Sequence, residues 1–156
     1  MRETVFAPEE TVGAAELARA GLLLLGEQAA IDATAVFVPA DAEGAVRRIE
    51  IGSGARIGTY TVICGGTCIG ENTRVEERII VGKPERGYAV GHVYPGAGAH
   101  TRIGPGVVVR AGAVIYAGVQ AGADTVIGHN LTIERAARIG DGVRCSPGSH
   151  ITRRRD

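Results

Sequence analysis

The sequence contains no tryptophan, two phenylalanines and four tyrosines. A core built around large aromatic rings is therefore excluded, and thin β-coils with small aliphatic interiors are favoured. Basic and acidic residues balance at 17 each. The three arginines at 153–155 are interpreted as a solvated tail, so the charge pattern does not indicate nucleic-acid binding. Long apolar runs are also missing, and the four leucines at 22–25 fall far short of a membrane span.

A secretory signal is not indicated either, because the N-terminus has acidic residues and no apolar run behind a basic start. The cysteines are odd in number: Cys64, Cys68 and Cys145. An odd count without a signal favours reduced thiols in a cytoplasmic protein. Three residues separate Cys64 from Cys68, which is not the usual spacing of a zinc-binding pair, so no metal is expected.

What the sequence does have is glycine, at 24 positions, and a repeat of six residues. Fifteen positions in steps of six form two series separated by a break, and thirteen of them are Ile or Val. A six-residue period matches neither a helix nor the alternation of an ordinary strand, and a strict short repeat indicates a solenoid. The series occupy positions 51, 57, 63, 69, 75 and 81, and then 103, 109, 115, 121, 127, 133, 139, 145 and 151.

Strand geometry explains this repeat. Side chains alternate across a strand, so the repeat position and the position two residues before it both face inward. The residue after the repeat position is glycine in eight of fifteen cases, which suits a corner where the chain turns tightly. Three strands and three corners make a coil of eighteen residues, so the fifteen hexads predict an all-β fold, a parallel β-helix of about five coils.

The segments outside the repeat divide the chain. Residues 1–30 are predicted to form an N-terminal cap, with a short helix that opens at Pro8. Residues 31–152 are predicted to form the β-helix, with residues 31–37 as a degenerate first coil and residues 41–45 as a short excursion. Within it, residues 82–102 have no six-residue pattern and are predicted to be one inserted loop, and residues 153–156 are the basic tail.

Three segments carry a resemblance to a known family: residues 81–84 (VGKP), 109–118 (VRAGAVIYAG) and 128–134 (GHNLTIE). They resemble the hexapeptide-repeat acyltransferases, and within these the branch that acetylates sugars, often nucleotide-linked amino sugars, from acetyl-CoA. The resemblance implies a left-handed parallel β-helix and a homotrimer with active sites in the clefts between neighbouring prisms. It also implies a histidine base and acetyl-CoA as co-substrate, with no metal.

His129 is the predicted catalytic base. It lies two residues after the repeat position Ile127, at a corner, and stacking by eighteen residues puts Ala111 and Pro147 beside it. Small neighbours leave room for a ligand, and a neutral imidazole can take a proton from an attacking amine or hydroxyl. Glu134, at a different corner, is the candidate to orient a histidine across a subunit seam. The alternative is an exposed turn histidine without a catalytic role.

Substrate and cofactor contacts are assigned to the inserted loop and to the small residues of the corners. Long loops within compact domains are often functional, and this one has groups suited to a phosphate, a sugar or a base: Lys83, Arg86, Tyr88, His92 and Tyr94. The alternative is a loop that only packs on the neighbouring prism of a trimer. The pantetheine arm of acyl-CoA is expected to approach glycine-rich corners, with contacts at Gly118, Gly122, Ser146 and Gly148.

Two other functions remain open from the sequence. The first is a non-catalytic trimeric β-helix that acts as a scaffold or binding module. The second is a zinc-dependent hydratase of the carbonic anhydrase type, which requires three histidines around one metal. His92, His100 and His129 would have to supply them, although the local histidine pair typical of such enzymes is absent.

Overall fold

The computed structural model describes residues 6–86 and 96–153. These residues form a parallel β-helix, as the repeat predicts. It has eighteen short strands and is accompanied by one helix, α1 (Ala14–Arg19). The strands are, in chain order, β1 (Leu23–Leu25), β2 (Ala30–Ile31), β3 (Val36–Val38), β4 (Ile49–Ile51), β5 (Arg56–Ile57), β6 (Val62–Cys64), β7 (Thr67–Ile69), β8 (Arg74–Val75), β9 (Ile80–Lys83), β10 (Thr101–Ile103), β11 (Val108–Val109), β12 (Val114–Tyr116), β13 (Gln120–Ala121), β14 (Val126–Ile127), β15 (Thr132–Ile133), β16 (Arg138–Ile139), β17 (Arg144–Cys145) and β18 (His150–Ile151).

Every third strand belongs to the same sheet, and neighbouring strands are parallel. The first sheet has the order β1-β4-β7-β10-β13-β16, the second β2-β5-β8-β11-β14-β17, and the third β3-β6-β9-β12-β15-β18. Because the chain visits the three sheets in turn, it makes three kinds of corner. We name them the 1–2, 2–3 and 3–1 corners after the sheets that they join.

The interior is filled by the two inward positions of each hexad. Repeat residues such as Ile63 and Ile115 are fully buried, and so is Thr61, two positions before Ile63. Successive coils align these residues, since Ile63 pairs with Val81 and Val81 with Ile115. The alternation inferred from the sequence is therefore confirmed, and Cys145, at a repeat position, is also buried.

The described residues form six coils, one more than the fifteen hexads predict. Strands β1, β2 and β3 make an N-terminal coil outside the fifteen hexads, and the degenerate coil predicted at residues 31–37 is its second half. Residues 39–48 then leave the β-helix after β3 and shift the phase of the repeat. Strand β1 lies inside residues 1–30, so the segment predicted as a cap contributes a strand as well as a helix. Its repeat positions pair with the next coil: Leu25 with Ile51, Ile31 with Ile57, and Phe37 with Ile63.

Helix α1 starts at Ala14 rather than at Pro8. The chain before it is extended, since Val12 and Phe37 each donate a backbone hydrogen bond of 2.8 Å to the other. These bonds use backbone groups that a longer helix would need for itself. Leu17 is fully buried, and α1 contacts β1 and β3 of the first coil.

Two segments leave the β-helix, and both leave at the 3–1 corner. The excursion, residues 39–48, follows β3 in the first coil, and the loop, residues 84–100, follows β9 in the third. The insertion expected over 82–102 is shorter at both ends, because β9 extends to Lys83 and β10 begins at Thr101. Since the two segments emerge at one corner two coils apart, they border the same part of the surface.

The outer faces of the sheets differ in polarity. Arginines interrupt the outer face of the second sheet, at Arg56 and Arg74, and that of the first sheet, at Arg102 and Arg138. The outer face of the third sheet instead has a row of half-buried aliphatic side chains. The row consists of Val36, Val62, Ile80 and Val114. The third sheet therefore presents an apolar strip that runs toward the two inserted segments.

Candidate functional site

His129 lies at a 2–3 corner, as the sequence predicts. Ile127 is fully buried, and Gly128 then packs so closely on the next coil that a Cβ atom there would be 2.7 Å from the carbonyl oxygen of Cys145. Asn130 follows with φ +53°, a left-handed conformation that asparagine tolerates. Because the backbone turns between Gly128 and Asn130, the imidazole of His129 points outward and is exposed.

The His129 ring borders a broad shallow depression of about 770 Å³. Its lining comes from the 2–3 corners of four successive coils, and Ala111 and Gly112 occupy the corner before His129. The backbone is held firmly there: the N–H of Asn130 donates to the carbonyl of Ala111 at 3.0 Å, and the N–H of Gly148 donates to the carbonyl of His129 at 2.8 Å. Among residues 6–86 and 96–153, neither the ring nor the backbone N–H of His129 forms a hydrogen bond.

Glu134 lies at a 3–1 corner, directly after β15. One of its carboxylate oxygens accepts a hydrogen bond from the backbone N–H of Arg153 at 3.0 Å. His129 and Glu134 thus flank the third sheet at opposite edges, and one chain does not bring them together. A partnership between them would need two subunits.

The four residues predicted to contact the cofactor occupy all three kinds of corner. Gly118 lies at a 3–1 corner, in a small depression of about 220 Å³ that it shares with Arg135 and Glu85, and the side chains of these two form an ion pair at 3.5 Å. Gly122 lies at a 1–2 corner, packed on the next coil. Ser146 and Gly148 share the 2–3 corner of His129, one coil further along, and both are exposed. A single chain therefore does not assemble these four residues into one site.

The predicted substrate contacts divide in a different way. Tyr88, His92 and Tyr94 lie outside the described residues. Lys83 and Arg86 both line a deeper cavity of about 350 Å³ at the 3–1 corner, which we call the third-sheet pocket. Its floor consists of outward side chains of the third sheet: Val38, Val62, Cys64, Ile80, Lys83 and Tyr116. Its walls come from the excursion, the loop and Glu9 of the N-terminal segment.

A β-bulge at Gly82 sets the direction of Lys83. Strand β9 pairs regularly with β12 through Val81 and Ile115, and the register then shifts so that Lys83, not Gly82, is opposite Tyr116. Without the extra residue, Lys83 would occupy an inward position, because side chains alternate along a strand. Gly82 has φ +82°, and a Cβ atom there would be 2.3 Å from Oγ1 of Thr67, so the bulge requires glycine.

Asp41 connects the excursion to the loop. Its side chain is 3% exposed and forms an ion pair of 2.6 Å with Arg47. It also accepts hydrogen bonds from the backbone N–H groups of Glu43, Ala45 and Gly98 at 2.9–3.0 Å. Burial by itself raises the pKa of Asp41, but these donors outweigh it and lower the pKa to about 2. Because Gly98 belongs to the loop, this carboxylate holds both walls of the pocket in place.

Cys64 forms part of the pocket floor without being reactive. It faces outward on β6, opposite Val38, yet it is only 6% exposed. Burial raises the pKa of the Cys64 thiol to about 12, and the nearby charge of Lys83 offsets only part of that rise. A thiol with so high a pKa remains protonated near neutrality, so Cys64 is not a nucleophile.

A histidine-based metal centre finds no support in the described part of the chain. No group of three or more His, Cys, Asp or Glu side chains capable of holding a metal ion occurs there. His100 is exposed at the end of the loop, whereas His129 lies at the 2–3 corner, and the third histidine of that hypothesis, His92, lies outside the described residues. Nor is any helix in the described ranges long and apolar enough to span a membrane.

Reasoning from the sequence missed Asp41, Arg47, Cys64 and Tyr116 as pocket residues. Two signals for the pocket were nevertheless present. Lys83 is the only lysine in a chain that has sixteen arginines. The residues just before three repeat positions are Val62, Ile80 and Val114, where an outward residue facing water would more often be polar.

No protein-family model matches the sequence, and neither does any curated protein sequence. Among solved structures, the acetyltransferase domain of PglB from Neisseria gonorrhoeae FA1090 in complex with acetyl coenzyme A is 14% identical, with a TM-score of 0.43 over 88% of this chain and 56% of that one. A second structure of that domain is 16% identical, with a TM-score of 0.42 over 88% and 54%. The CcmM N-terminal domain in complex with CcmN is 21% identical, with a TM-score of 0.30 over 83% and 96%. This chain spans just over half the length of the PglB chains that it matches.

Proposed function

We propose that this chain is a CoA-dependent acyltransferase that moves an acetyl or related acyl group to an amino or hydroxyl group of a sugar, nucleotide-linked in the preferred case. The observation that carries the proposal is His129: an exposed imidazole without a hydrogen-bond partner in the described chain, beside a depression of about 770 Å³. The resemblance of residues 128–134 to hexapeptide-repeat acyltransferases supports the same reaction. An unengaged imidazole is free to accept a proton from a bound acceptor.

In this mechanism the acceptor nitrogen or oxygen attacks the thioester carbonyl of acyl-CoA. Nε2 or Nδ1 of His129 takes the proton that the acceptor loses. The tetrahedral oxyanion is stabilised by backbone N–H donors, for which the unpaired N–H of His129 itself is a candidate. Collapse breaks the carbon–sulfur bond, and the departing CoA thiolate takes the proton from the imidazolium.

The separation of the other candidates favours a site shared between subunits, and the resemblance to hexapeptide-repeat acyltransferases implies a homotrimer. Lys83 and Arg86 lie at the 3–1 corner and His129 at the 2–3 corner. We propose that the acceptor contacts Lys83 and Arg86, with Tyr88, His92 and Tyr94, across a cleft from His129 of a neighbouring subunit. We further propose that CoA contacts Gly118, Gly122, Ser146 and Gly148, and that Glu134 of the neighbouring subunit orients the histidine. We also propose a cytoplasmic location, where the three free thiols would remain reduced.

The test is release of CoA from acetyl-CoA in the presence of a panel of amino sugars and nucleotide-linked amino sugars. Replacing a general base costs on the order of 100-fold or more in rate, so His129→Ala should lose at least that much. His150→Ala is the matched control, because His150 is another exposed histidine, on β18. Equal turnover by wild type and His129→Ala would remove His129 as the base. Failure of wild-type protein to release CoA with every acceptor, or to be stabilised thermally by CoA, would favour the scaffold function instead.

A further inference from the structure

We propose that the third-sheet pocket is a binding site for a small organic anion, which places its charged group at Lys83 and its apolar body on Val62 and Ile80. The proposal goes beyond the acyl-transfer function and does not depend on it. The binding itself is independent of any reaction.

Charge is the first argument. The pocket lining includes three cations, and two of them already have a carboxylate: Arg47 pairs with Asp41, and Arg86 pairs with Glu9. Lys83 forms no ion pair within residues 6–86 and 96–153. The lining therefore has one unbalanced positive charge, which matches a ligand with a single negative charge.

The bulge is the second argument. Gly82 exists in a conformation that only glycine adopts easily, against Oγ1 of Thr67. The result of that bulge is to move the only lysine of the chain from an inward register position to an outward one, opposite Tyr116. Bulges commonly redirect a side chain at a functional site. A lysine needed only for solubility could occupy any outward position and would not require a bulge.

The shape and polarity of the floor give the third argument. Val62 and Ile80 are outward on the third sheet and remain half-buried, and Cys64 beside them is a protonated, buried thiol. A cavity of about 350 Å³ lies within the range of small-molecule sites. An apolar floor with one cation at its edge suits an aryl or branched aliphatic carboxylate better than an inorganic ion.

Polar contacts connect the walls of the pocket to one another. Asp41 connects the excursion to Gly98 of the loop, and Glu9 connects the N-terminal segment to Arg86. Three separate parts of the chain are thus joined around the floor by one hydrogen bond and one ion pair. A preformed cavity loses less conformational freedom on binding, which favours affinity for a small ligand.

The single lysine makes a direct test possible. Reductive methylation with ¹³C-formaldehyde places one labelled dimethyl-lysine signal in the whole chain, at Lys83, apart from the N-terminal amine. The probes are 3-phenylpropionate, the neutral isostere 3-phenylpropan-1-ol, and inorganic phosphate, titrated into labelled full-length protein and, by calorimetry, into unlabelled protein. We expect 3-phenylpropionate to shift the Lys83 signal saturably. It should also bind at least about tenfold more tightly than the alcohol, because the alcohol cannot form the charge-assisted contact with Lys83. Phosphate should bind more weakly than the carboxylate, because it gains nothing from the apolar floor.

Variants locate the binding. Lys83→Met keeps the aliphatic length and should lower the calorimetric affinity at least about tenfold, whereas Lys83→Arg should retain much of it. Arg102→Met is the matched control, because it removes one exposed cation from the outer face of the first sheet, and its affinity should equal that of wild type. Equal affinity for the acid and the alcohol, unchanged affinity in Lys83→Met, or no binding of 3-phenylpropionate at millimolar concentration would overturn the proposal.

The outcomes separate this inference from the proposed reaction. Carboxylate binding at Lys83 without CoA release would leave the pocket established and reject acyl transfer. CoA release that requires His129, without carboxylate binding, would leave the reaction and reject the anion site.

Discussion

Replacing Asp41 by asparagine should destabilise the fold by about 2 kcal/mol near neutral pH. The pKa of this carboxyl is about 2 instead of 3.8, and each pKa unit corresponds to about 1.36 kcal/mol of preference for the charged form. The side chain is 3% exposed, so little of this preference is lost to solvent screening. Asparagine resembles the protonated acid in having no charge for Arg47 to pair with.

The dependence on pH follows from the direction of the shift. The pKa is depressed in the folded state, so the ionised carboxyl stabilises the fold fully above the unfolded-state value near 4 and loses this contribution as the pH falls toward 2. The difference in unfolding free energy between wild type and Asp41→Asn should therefore be full at about pH 7 and roughly halved at about pH 3.

Guanidinium denaturation followed by circular dichroism at both pH values measures this difference. Glu43→Gln is the matched control, since it removes an exposed carboxylate from the same excursion and should change the unfolding free energy by less than about 0.5 kcal/mol. A loss in Asp41→Asn no larger than in the control, or a loss that does not shrink on acidification, would refute the reasoning that this carboxylate anchors the pocket walls.

Two further predictions concern the corners and the thiols. Gly112→Ala should lower the free energy of unfolding by roughly 1–3 kcal/mol more than Gly142→Ala does. Both glycines have positive φ, but a Cβ atom at Gly112 would be 2.1 Å from Oδ1 of Asn130, whereas one at Gly142 meets nothing within 4 Å. Equal losses in unfolding free energy would show that the corner beside His129 relaxes freely. In native protein at about pH 8, iodoacetamide should modify Cys68 well before Cys64, because Cys64 is buried with a pKa of about 12 and Cys68 is half-exposed. Peptide mass spectrometry measures the order of modification. Equal rates would mean that the pocket floor is accessible to small reagents.

The β-helix could be predicted from the sequence because its inward positions obey one rule throughout. Ile63, Val81 and Ile115 are equivalent in sequence and stack in the structure. Only part of the first coil could be predicted, as a degenerate repeat at residues 31–37, because the excursion shifts the register between Phe37 and Ile51. A period can be read only where no insertion breaks it, so a single coil that an insertion separates from the rest is the one that a count of hexads loses.

The candidate site was predicted only in part, for a different reason. The corner position of His129 follows from its distance to Ile127, which is a local relation. The grouping of Asp41 with Gly98, or of Lys83 with Tyr116, depends on contacts between residues far apart in the chain. No repeat rule specifies such contacts, because they arise in the inserted segments and in the bulge, where the period fails.

Function in a fold of this kind therefore has to be sought at positions that the core does not constrain. The interior uses the repeat position and the one two residues earlier, so nearly every coil looks alike from inside. Coils differ from one another in their outward side chains and in the segments inserted at their corners. In this chain the aliphatic outward row, the bulge at Gly82 and both inserted segments converge at the 3–1 corner. Because none of them is needed to close a coil, their coincidence is better explained by a ligand than by folding, and the binding experiment at Lys83 tests that explanation directly.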